Sequence, residues 1–196
     1  MIRFFDLLFS FLGLILLLPV FLVIAGFITL DSKGGIFYKQ TRVGKDGIDF
    51  KLYKFRSMTS GSDKRGLITV GAKDSRITKA GYFLRKYKLD ELPQLINVLK
   101  GDMSLVGPRP EVRKYVNMYN SEQRNVLSVL PGITDYASIE YMDENKLLGN
   151  AVDPDSVYIE QVIPNKIVCN MKYINNHTTQ EYFKIIFITL LKIVGF

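Results

Sequence analysis

Two adjacent acidic residues, Asp90 and Glu91, follow closely after Arg85, Lys86 and Lys88 in a basic part of the sequence. Nearby positive charge favours the ionised form of a carboxylate, and an anionic carboxylate is able to attack phosphorus. A neighbouring second carboxylate is able to move protons. The same pair also suits the start of a helix, with Asp90 as its cap, and for an isolated Asp-Glu pair that structural interpretation is the commoner one. The chemical interpretation therefore depends on what surrounds the pair.

Two other groups of residues supply cations that suit a phosphate. Arg109 stands between Pro108 and Pro110, and the two prolines are expected to fix its guanidinium for a bidentate phosphate contact. Lys54 and Arg56 are two positions apart, so strand alternation places both on one face, where a diphosphate could bind. Each group also has an ordinary interpretation: a rigid turn with a solvated arginine, and a solvated strand face.

The composition limits the kinds of site available. One Cys and one His in 196 residues exclude a disulfide framework and a Cys/His zinc site, and a histidine-based triad has only His177 to use. With 47% hydrophobic and 23% charged residues the chain is able to bury a core. The net charge of +7 is uneven, because residues 32–114 carry 19 Lys and Arg against 8 Asp and Glu. This basic block indicates an anionic partner, a membrane surface, or both.

The N-terminal part of the chain predicts a membrane segment. Leu7 to Leu30 is a run of 24 residues without a charge, which at about 1.5 Å per residue is long enough for a hydrocarbon core of about 30 Å. Pro19 interrupts the run, where it removes a helical hydrogen bond. Basic residues occur on both sides, Arg3 before the run and Lys33 after it, and positive charge favours the cytoplasmic side. The residues alone favour a kinked crossing and a re-entrant hairpin about equally.

The rest of the chain predicts a small, helix-rich α/β domain pressed against a membrane. Alternating apolar residues predict a β-hairpin of residues 36–43 and 48–55, and residues 60–74 have the composition of a loop. Apolar residues at i, i+3, i+4 and i+7 predict helices over residues 80–87, 92–99 and 112–119. The apolar stretch over residues 181–194 is predicted to be core or an amphipathic helix on the membrane.

Taken together, these motifs resemble those of the bacterial sugar transferase family, the monotopic polyprenyl-phosphate phosphoglycosyl transferases. The chain looks like the minimal version of that family, a catalytic domain without additional transmembrane helices. The resemblance extends up to about residue 135 and rests on Leu-Pro-Val at residues 18–20 and on residues 37–44, 53–58, 84–85, 89–95, 97–110 and 131–134.

The resemblance implies an enzyme that moves a sugar-1-phosphate from a UDP-sugar to a polyprenyl phosphate such as undecaprenyl phosphate, with release of UMP. Such a step initiates the assembly of surface polysaccharides or glycans. It also implies a re-entrant membrane helix over residues 1–31, bent at Pro19, and a catalytic domain over residues 32–196 on the cytoplasmic face of the bacterial inner membrane. The implied partners are the UDP-sugar, the polyprenyl phosphate and anionic phospholipid, with no nucleic acid. The sugar, the lipid length, the pathway and the oligomeric state stay open.

The same resemblance assigns roles to single residues. Asp90 is implied to be the nucleophile, to form an aspartyl phospho-sugar intermediate that the lipid phosphate then attacks, and to bind Mg²⁺, which offsets diphosphate charge. Glu91 is implied to support it as an acid/base or by orienting it. The implied substrate-binding residues are Lys54, Arg56, Arg85, Pro108, Arg109 and Pro110.

The chain departs from the family pattern at three places. Leu18 precedes Pro19, where the family often has Ser, so the kink lacks a hydroxyl for the freed carbonyl. Asn170 stands where many members have an acidic residue, so no catalytic role is assigned to it. The residues after Thr134 also differ from the sequence that is commoner in the family, which leaves the identity of the sugar open.

One alternative comes from a different class of protein. A membrane-tethered module without catalytic activity could bind anionic lipid or another polyanion through the basic block. Such binding would weaken steeply with salt. This alternative does not explain why Asp90 and Glu91 lie in the middle of the block, so the enzyme is the favoured hypothesis.

Overall fold

The computed structural model describes residues 1–62, 74–140 and 153–194. A long helix α1 (Ile2–Asp31) is followed by two strands, β1 (Phe37–Val43) and β2 (Asp49–Phe55), and by helices α2 (Lys79–Lys86) and α3 (Gln94–Lys100). Strand β3 (Ser104–Val106) then leads to α4 (Arg113–Val116), β4 (Gly132–Thr134) and α5 (Tyr136–Glu140). The C-terminal part contains α6 (Pro154–Val157), α7 (Ile163–Asn175) and α8 (Thr179–Val194). The predicted helix-rich α/β architecture with a small hairpin is confirmed.

The predicted hairpin forms with the expected register, since β1 and β2 pair antiparallel from Phe37 opposite Phe55 to Val43 opposite Asp49. The predicted helices differ at their ends: α3 begins only after Pro93, and the helix expected over residues 112–119 is reduced to the four residues of α4. Most of the loop predicted over residues 60–74 lies outside the described residues. Strands β3 and β4 form a separate parallel pair that was not predicted.

The apolar C-terminal stretch forms helix α8, which is partly core, and its position on a membrane stays a prediction. Tyr182 and Ile185 are fully buried in the core, whereas Phe187 and Leu190 on the same helix are exposed. The helix therefore closes one side of the domain and also presents an apolar surface.

Helix α1 is long and apolar enough to cross a membrane, and it is helical on both sides of Pro19. Only Asp6, Ser10, Ile24 and Ile28 of this helix are buried, and most of its large apolar side chains are exposed. An apolar surface of this extent is typical of a lipid-facing segment. The structure is consistent with the predicted membrane-associated domain.

The N-terminal end of α1 is attached to the folded domain by two charged side chains. Arg3 donates to the carbonyl oxygens of Val98 at 2.7 Å and Leu99 at 3.2 Å, at the end of α3. Asp6 is 1% exposed, and its carboxylate accepts hydrogen bonds from the Ser104 hydroxyl and the Leu105 N–H at the start of β3, both at 2.9 Å. It accepts a third from the hydroxyl of Tyr182 in α8, also at 2.9 Å. These contacts fix α3 and β3 against α1.

The C-terminal end of α1 is attached to the same domain. Ile24 and Ile28 pack with Phe55 of β2 and Leu84 of α2 in one buried cluster. Asp31 accepts a hydrogen bond at 2.9 Å from the backbone N–H at the start of α2. Both ends of α1 therefore contact one folded body.

Replacement of Asp6 by Ala is expected to destabilise the protein, because it removes the acceptor of two buried hydroxyls, those of Ser104 and Tyr182, and of the half-buried Leu105 N–H. Each unsatisfied buried donor costs about 1–3 kcal/mol, so we expect a loss of about 3 kcal/mol or more in the free energy of unfolding. Thermal melting of the purified protein in detergent, followed by circular dichroism, measures the effect. Thr29→Ala is the control, since the Thr29 hydroxyl donates to carbonyls of its own helix. Equal melting temperatures for the two variants would contradict the prediction.

Candidate active site

Asp90 and Glu91 lie in a short turn between α2 and α3. The turn is a single 3-10 segment, Leu89–Glu91, and it begins after Lys88, whose left-handed backbone (φ 53°) reverses the chain at the end of α2. The N-cap position of α3 is held by Pro93 without a side-chain hydrogen bond. The interpretation of Asp90 as a simple helix cap is therefore wrong, and its side chain is available for another role.

Asp90 is 7% exposed and lines a cavity of about 410 Å³. Within residues 1–62, 74–140 and 153–194, no group donates a hydrogen bond to its carboxylate. It is the sole acidic residue among the described residues that line the cavity, whereas five cationic residues share the lining: Arg42, Lys54, Arg56, Arg76 and Arg85. A buried acid in a cationic cavity is placed to meet an anionic ligand.

Glu91 is held between two cations. Its Oε1 atom lies 3.0 Å from the Lys54 ammonium, and the Arg109 guanidinium donates to both of its carboxylate oxygens, at 2.9 Å for Oε2. This bidentate geometry is the strong form of an arginine–carboxylate pair. The structure thus brings together four residues predicted from three separate sequence motifs, with Asp90 beside the triad of Lys54, Glu91 and Arg109.

The two acids of the turn have opposite pKa shifts. Burial raises the pKa of Asp90, an effect that the neighbouring Glu91 charge reinforces and Lys54 opposes. Burial acts in the same direction on Glu91, but Arg109 and Lys54 outweigh it and hold the pKa of that carboxyl well below its usual range. The pKa of Lys54 is lowered, chiefly by burial. A pair of acids with separated pKa values is a common basis for divided roles in a catalytic site.

Arg56 borders the same cavity as Lys54, as strand alternation predicts, but its guanidinium is bound to another part of the chain. Strand β2 ends at Phe55, and the Arg56 side chain, 6% exposed, turns to the C-terminal end of α1. Its guanidinium donates to the carbonyls of Ile28 at 3.3 Å and Ser32 at 2.7 Å, and also to that of Lys33. A cation suits this position because the last carbonyls of a helix lack partners. Arg56 borders the cavity, but its contacts are those of a helix cap, and a role in substrate binding stays a prediction.

The turn that contains Arg109 is held by backbone contacts on both sides. The Arg109 N–H donates to Asp135 at 3.1 Å, and the Pro108 carbonyl accepts from the Gly132 N–H at 3.0 Å. A side chain at Gly107 would meet the Leu130 carbonyl at 2.4 Å, so the close approach of these segments requires glycine. These contacts fix the backbone of the turn, and the Arg109 side chain reaches Glu91 from it.

Sequence reasoning does not identify three residues that support the site. Arg42 of β1 lines the cavity and donates to the Pro110 carbonyl and to Glu111, both at 3.1 Å, so it links the cavity to the arginine turn. Arg76 lines the cavity next to its ion-pair partner Asp74. No spacing in the sequence connects these cations to the turn at residue 90.

Asn97 is the third of these residues, and Asn170, to which the sequence assigns no catalytic role, lies in a separate cavity. Asn97, fully buried in α3, accepts from the Tyr53 N–H at 2.9 Å and donates to the Lys51 carbonyl at 2.8 Å, which fixes α3 beside the strand residue Lys54. Asn170 is buried, its Oδ1 atom has no partner among the described residues, and it lines a smaller cavity of about 50 Å³ behind Arg109.

The donor set around Asp90 fits a magnesium ion that takes most of its ligands from a substrate. Among the described residues, no group of three or more His, Cys, Asp and Glu side chains is placed to form a complete metal cage. Mg²⁺ is commonly held by one or two carboxylates together with substrate phosphates and water. Asp90, a buried carboxylate without a hydrogen-bond donor in the described parts of the chain, meets that requirement.

Together, the apolar N-terminal helix and the buried acid in a cationic cavity define a membrane-associated domain with a site suited to phosphorylated ligands. The chain belongs to the bacterial sugar transferase family, whose model matches residues 1–195.

Curated relatives have names consistent with this family. The chain is 38% identical, over 96% of its length, to a UDP-N-acetylgalactosamine-undecaprenyl-phosphate N-acetylgalactosaminephosphotransferase of Aeromonas hydrophila. It is 43% identical, over 67% of its length, to a putative undecaprenyl-phosphate N-acetylgalactosaminyl 1-phosphate transferase of Bacillus subtilis. It is 38% identical, over 95% of its length, to a UDP-glucose:undecaprenyl-phosphate glucose-1-phosphate transferase of Klebsiella pneumoniae. These matches cover 42%, 70% and 38% of the respective relatives, so the chain spans well under half of the Aeromonas and Klebsiella proteins.

Proposed function

We propose that this chain transfers a sugar-1-phosphate from a UDP-sugar to undecaprenyl phosphate or a similar polyprenyl phosphate and releases UMP. The observation that carries the proposal is Asp90, the single acid in a cavity lined by five cationic residues of the described chain. Membership of the sugar transferase family and the names of the relatives support the same reaction. The product, a polyprenyl diphosphate sugar, would begin the assembly of a surface polysaccharide or glycan.

In the proposed first step, an oxygen of the Asp90 carboxylate attacks the phosphorus that bears the sugar. The bond from that phosphorus to the bridging oxygen breaks, and UMP leaves with the electron pair. An aspartyl phospho-sugar remains on the enzyme. In the second step an oxygen of the lipid phosphate attacks the same phosphorus, the bond to Asp90 breaks, and the free carboxylate is restored. Asp90 is the residue that would hold Mg²⁺, and the ion when bound would supply neutralisation of phosphate charge.

The remaining residues bind and orient the diphosphate in this scheme. Lys54 and Arg109 contact Glu91 in the structure, so an incoming phosphate has to compete with this carboxylate for both cations. Once displaced, Glu91 is available to orient Asp90 or to move a proton. Arg85, in the last turn of α2, borders the cavity beside Asp90 and adds a further positive charge.

We also propose that α1 is re-entrant, with both of its ends on the cytoplasmic face of the bacterial inner membrane. Arg3 and Asp6 at one end and Ile28 and Asp31 at the other contact elements of one domain. A straight crossing would put those ends on opposite sides of about 30 Å of hydrocarbon. Cysteine labelling at residue 2 tests the topology: a residue reached only from the cytoplasmic side supports the hairpin, and one reached from the periplasm rules it out.

The pH dependence of UMP release is expected to be bell-shaped. Asp90 acts as a carboxylate, and because its pKa is raised, the acid limb falls at a higher pH than for an ordinary Asp with a pKa of about 3.9. Lys54 acts as a cation, and because its pKa is lowered, the alkaline limb falls below the usual lysine range. Lys54→Arg, whose charge persists, should move only the alkaline limb upward. An unchanged alkaline limb in this variant would exclude Lys54 as its source.

A further inference from the structure

One face of strand β1 lines the catalytic cavity with three residues of different chemistry. Tyr38, Gln40 and Arg42 are two positions apart along the strand, so they lie on the same face of the hairpin, and all three border the cavity. They are half-buried, whereas Lys39 and Thr41 between them are exposed. No step of the proposed reaction uses Tyr38 or Gln40.

Gln40 is held in one orientation by its neighbour Arg42. The Gln40 Oε1 atom accepts a hydrogen bond from Arg42 Nη2 at 2.8 Å and another from Arg42 Nε at 3.1 Å. A guanidinium has donors and no acceptor, so the oxygen of the amide has to face it. The same guanidinium is fixed by the Pro110 carbonyl and by Glu111, both at 3.1 Å. Gln40 is therefore unable to turn over without losing both of its bonds to Arg42.

The amide nitrogen of Gln40 is the part of the side chain that is left for a ligand. Within the described residues, no group accepts a hydrogen bond from this nitrogen. Because Gln40 borders the cavity, its two N–H bonds are available to a ligand there. The side chain thus offers donors only, which suit a carbonyl oxygen and leave an amino group without an acceptor.

We propose that Gln40 selects the base of the nucleotide substrate. It donates to the carbonyl oxygen at position 4 of uracil and disfavours cytosine, which has an amino group at that position. The identity of the base rests on the proposed function, which makes a UDP-sugar the occupant of the cavity. Arg42 is the positioning residue, since it acts by holding the amide oxygen. Tyr38, on the same face, supplies an aromatic ring on which a base is able to stack.

The register of the hairpin places Gln40 at a suitable distance from the phosphate-binding part of the cavity. Tyr38 lies opposite Lys54 in the antiparallel pair, and Gln40 is the next residue of β1 on that face. Diagonal neighbours of this kind are about 7–8 Å apart, which leaves room for the ribose between a phosphate at Lys54 and a base at Gln40. The phosphates themselves have stronger partners in the cationic residues of the cavity. The neutral amide is therefore left for the neutral base.

Binding of UMP and CMP to the purified protein in detergent tests this assignment, because the two nucleotides differ only in the base. Isothermal titration calorimetry should give a dissociation constant for UMP at least tenfold below that for CMP. Gln40→Glu offers acceptors only, which suit the amino group of cytosine, so the ratio of the CMP to the UMP dissociation constant should fall at least tenfold. Gln180→Glu adds the same charge at an exposed position in α8 and should keep the parent ratio.

Arg42→Lys tests the positioning role. An ammonium group is unable to hold the amide oxygen at two points, so the amide becomes free to turn and to offer its oxygen to cytosine. The ratio of the two dissociation constants should fall at least threefold. In a Gln40→Met background the same Arg42→Lys change should leave the ratio unaltered, because the amide through which Arg42 acts is gone. A merely electrostatic role of Arg42 would weaken both nucleotides alike and leave the ratio unchanged in either background.

Three outcomes would overturn the inference. Equal affinity of the parent protein for UMP and CMP would exclude base selection by Gln40. An equal loss of affinity for both nucleotides in Gln40→Glu would show that the amide contacts the phosphate or the ribose and not the base. Neither of these results affects the release of UMP from a UDP-sugar, which is measured separately on the same preparation. No binding of either nucleotide, together with no UMP release, would overturn the proposed function as well.

Discussion

Asp90→Asn is expected to reduce UMP release by at least 10³-fold, because an amide cannot take the place of the carboxylate as a nucleophile toward phosphorus. Loss of a covalent nucleophile typically has an effect of this size or larger. The variant should keep its fold, since Asn has nearly the same shape and the Asp90 carboxylate accepts no hydrogen bond within the described parts of the chain. The measurement is UMP release from a UDP-sugar with and without polyprenyl phosphate, together with mass spectrometry of the peptide that contains residue 90.

The control for this variant is Asp46→Asn. Asp46 is exposed in the hairpin turn and has a left-handed backbone (φ 56°), a conformation that Asn tolerates well. Turnover of Asp90→Asn within tenfold of the parent protein would remove Asp90 from the role of nucleophile. Loss of activity in Asp46→Asn as well would point to a general effect on the protein. A phospho-sugar adduct on residue 90 of the parent protein would support the covalent route directly.

Glu91→Gln is expected to strengthen the binding of a UDP-sugar and to slow turnover. The Glu91 carboxylate occupies Lys54 and Arg109, the two cations that the diphosphate is proposed to use. A neutral amide competes less well for them, so the dissociation constant of a UDP-sugar should fall by about tenfold, a change of about 1.4 kcal/mol. Turnover should nevertheless fall by about 10²-fold or more, because the acid/base and orienting carboxylate is lost. Equilibrium binding and single-turnover kinetics measure the two effects separately.

Glu122→Gln, at an exposed position outside the site, is the matched control. Weaker binding by the Glu91 variant would show that this carboxylate assists the substrate and does not compete with it. Unchanged turnover would exclude a role for Glu91 in the chemical steps. The binding measurement tests the ion pairs around Glu91, and the turnover measurement tests its part in the chemical steps.

Local patterns in the sequence were sufficient for most of the secondary structure and for the centre of the site. The period-two alternation of the hairpin and the Asp-Glu pair in a basic block are both local signals, and the structure retains them. Alternation also predicts that Arg56 faces the same cavity as Lys54, but it does not predict that the Arg56 guanidinium binds the carbonyls at the end of α1. Those contacts join residues more than twenty positions apart, which no local pattern encodes.

The supporting residues were missed for a related reason. Asn97 reads as a polar interruption of an amphipathic helix, and its importance lies in bonds to the backbone of Lys51 and Tyr53, more than forty positions earlier. Asp6 reads as the charged flank of a membrane segment, although it is buried in the domain. Hydrogen bonds of long sequence separation have no periodic signature, so a single sequence does not reveal them.

The hydrogen bond between Asp6 and Tyr182 has a consequence for the order of events during synthesis. It joins residues 176 positions apart, so the first turns of the chain cannot reach their final contacts until nearly all of the described chain has been made. Contacts of such separation form late, because closing a long loop costs entropy before any contact is gained. The other two donors to Asp6, Ser104 and Leu105, are made about half way along the chain, so this carboxylate is only partly satisfied until α8 arrives. The contact between α1 and α8 is therefore expected to be the last of the Asp6 contacts to form.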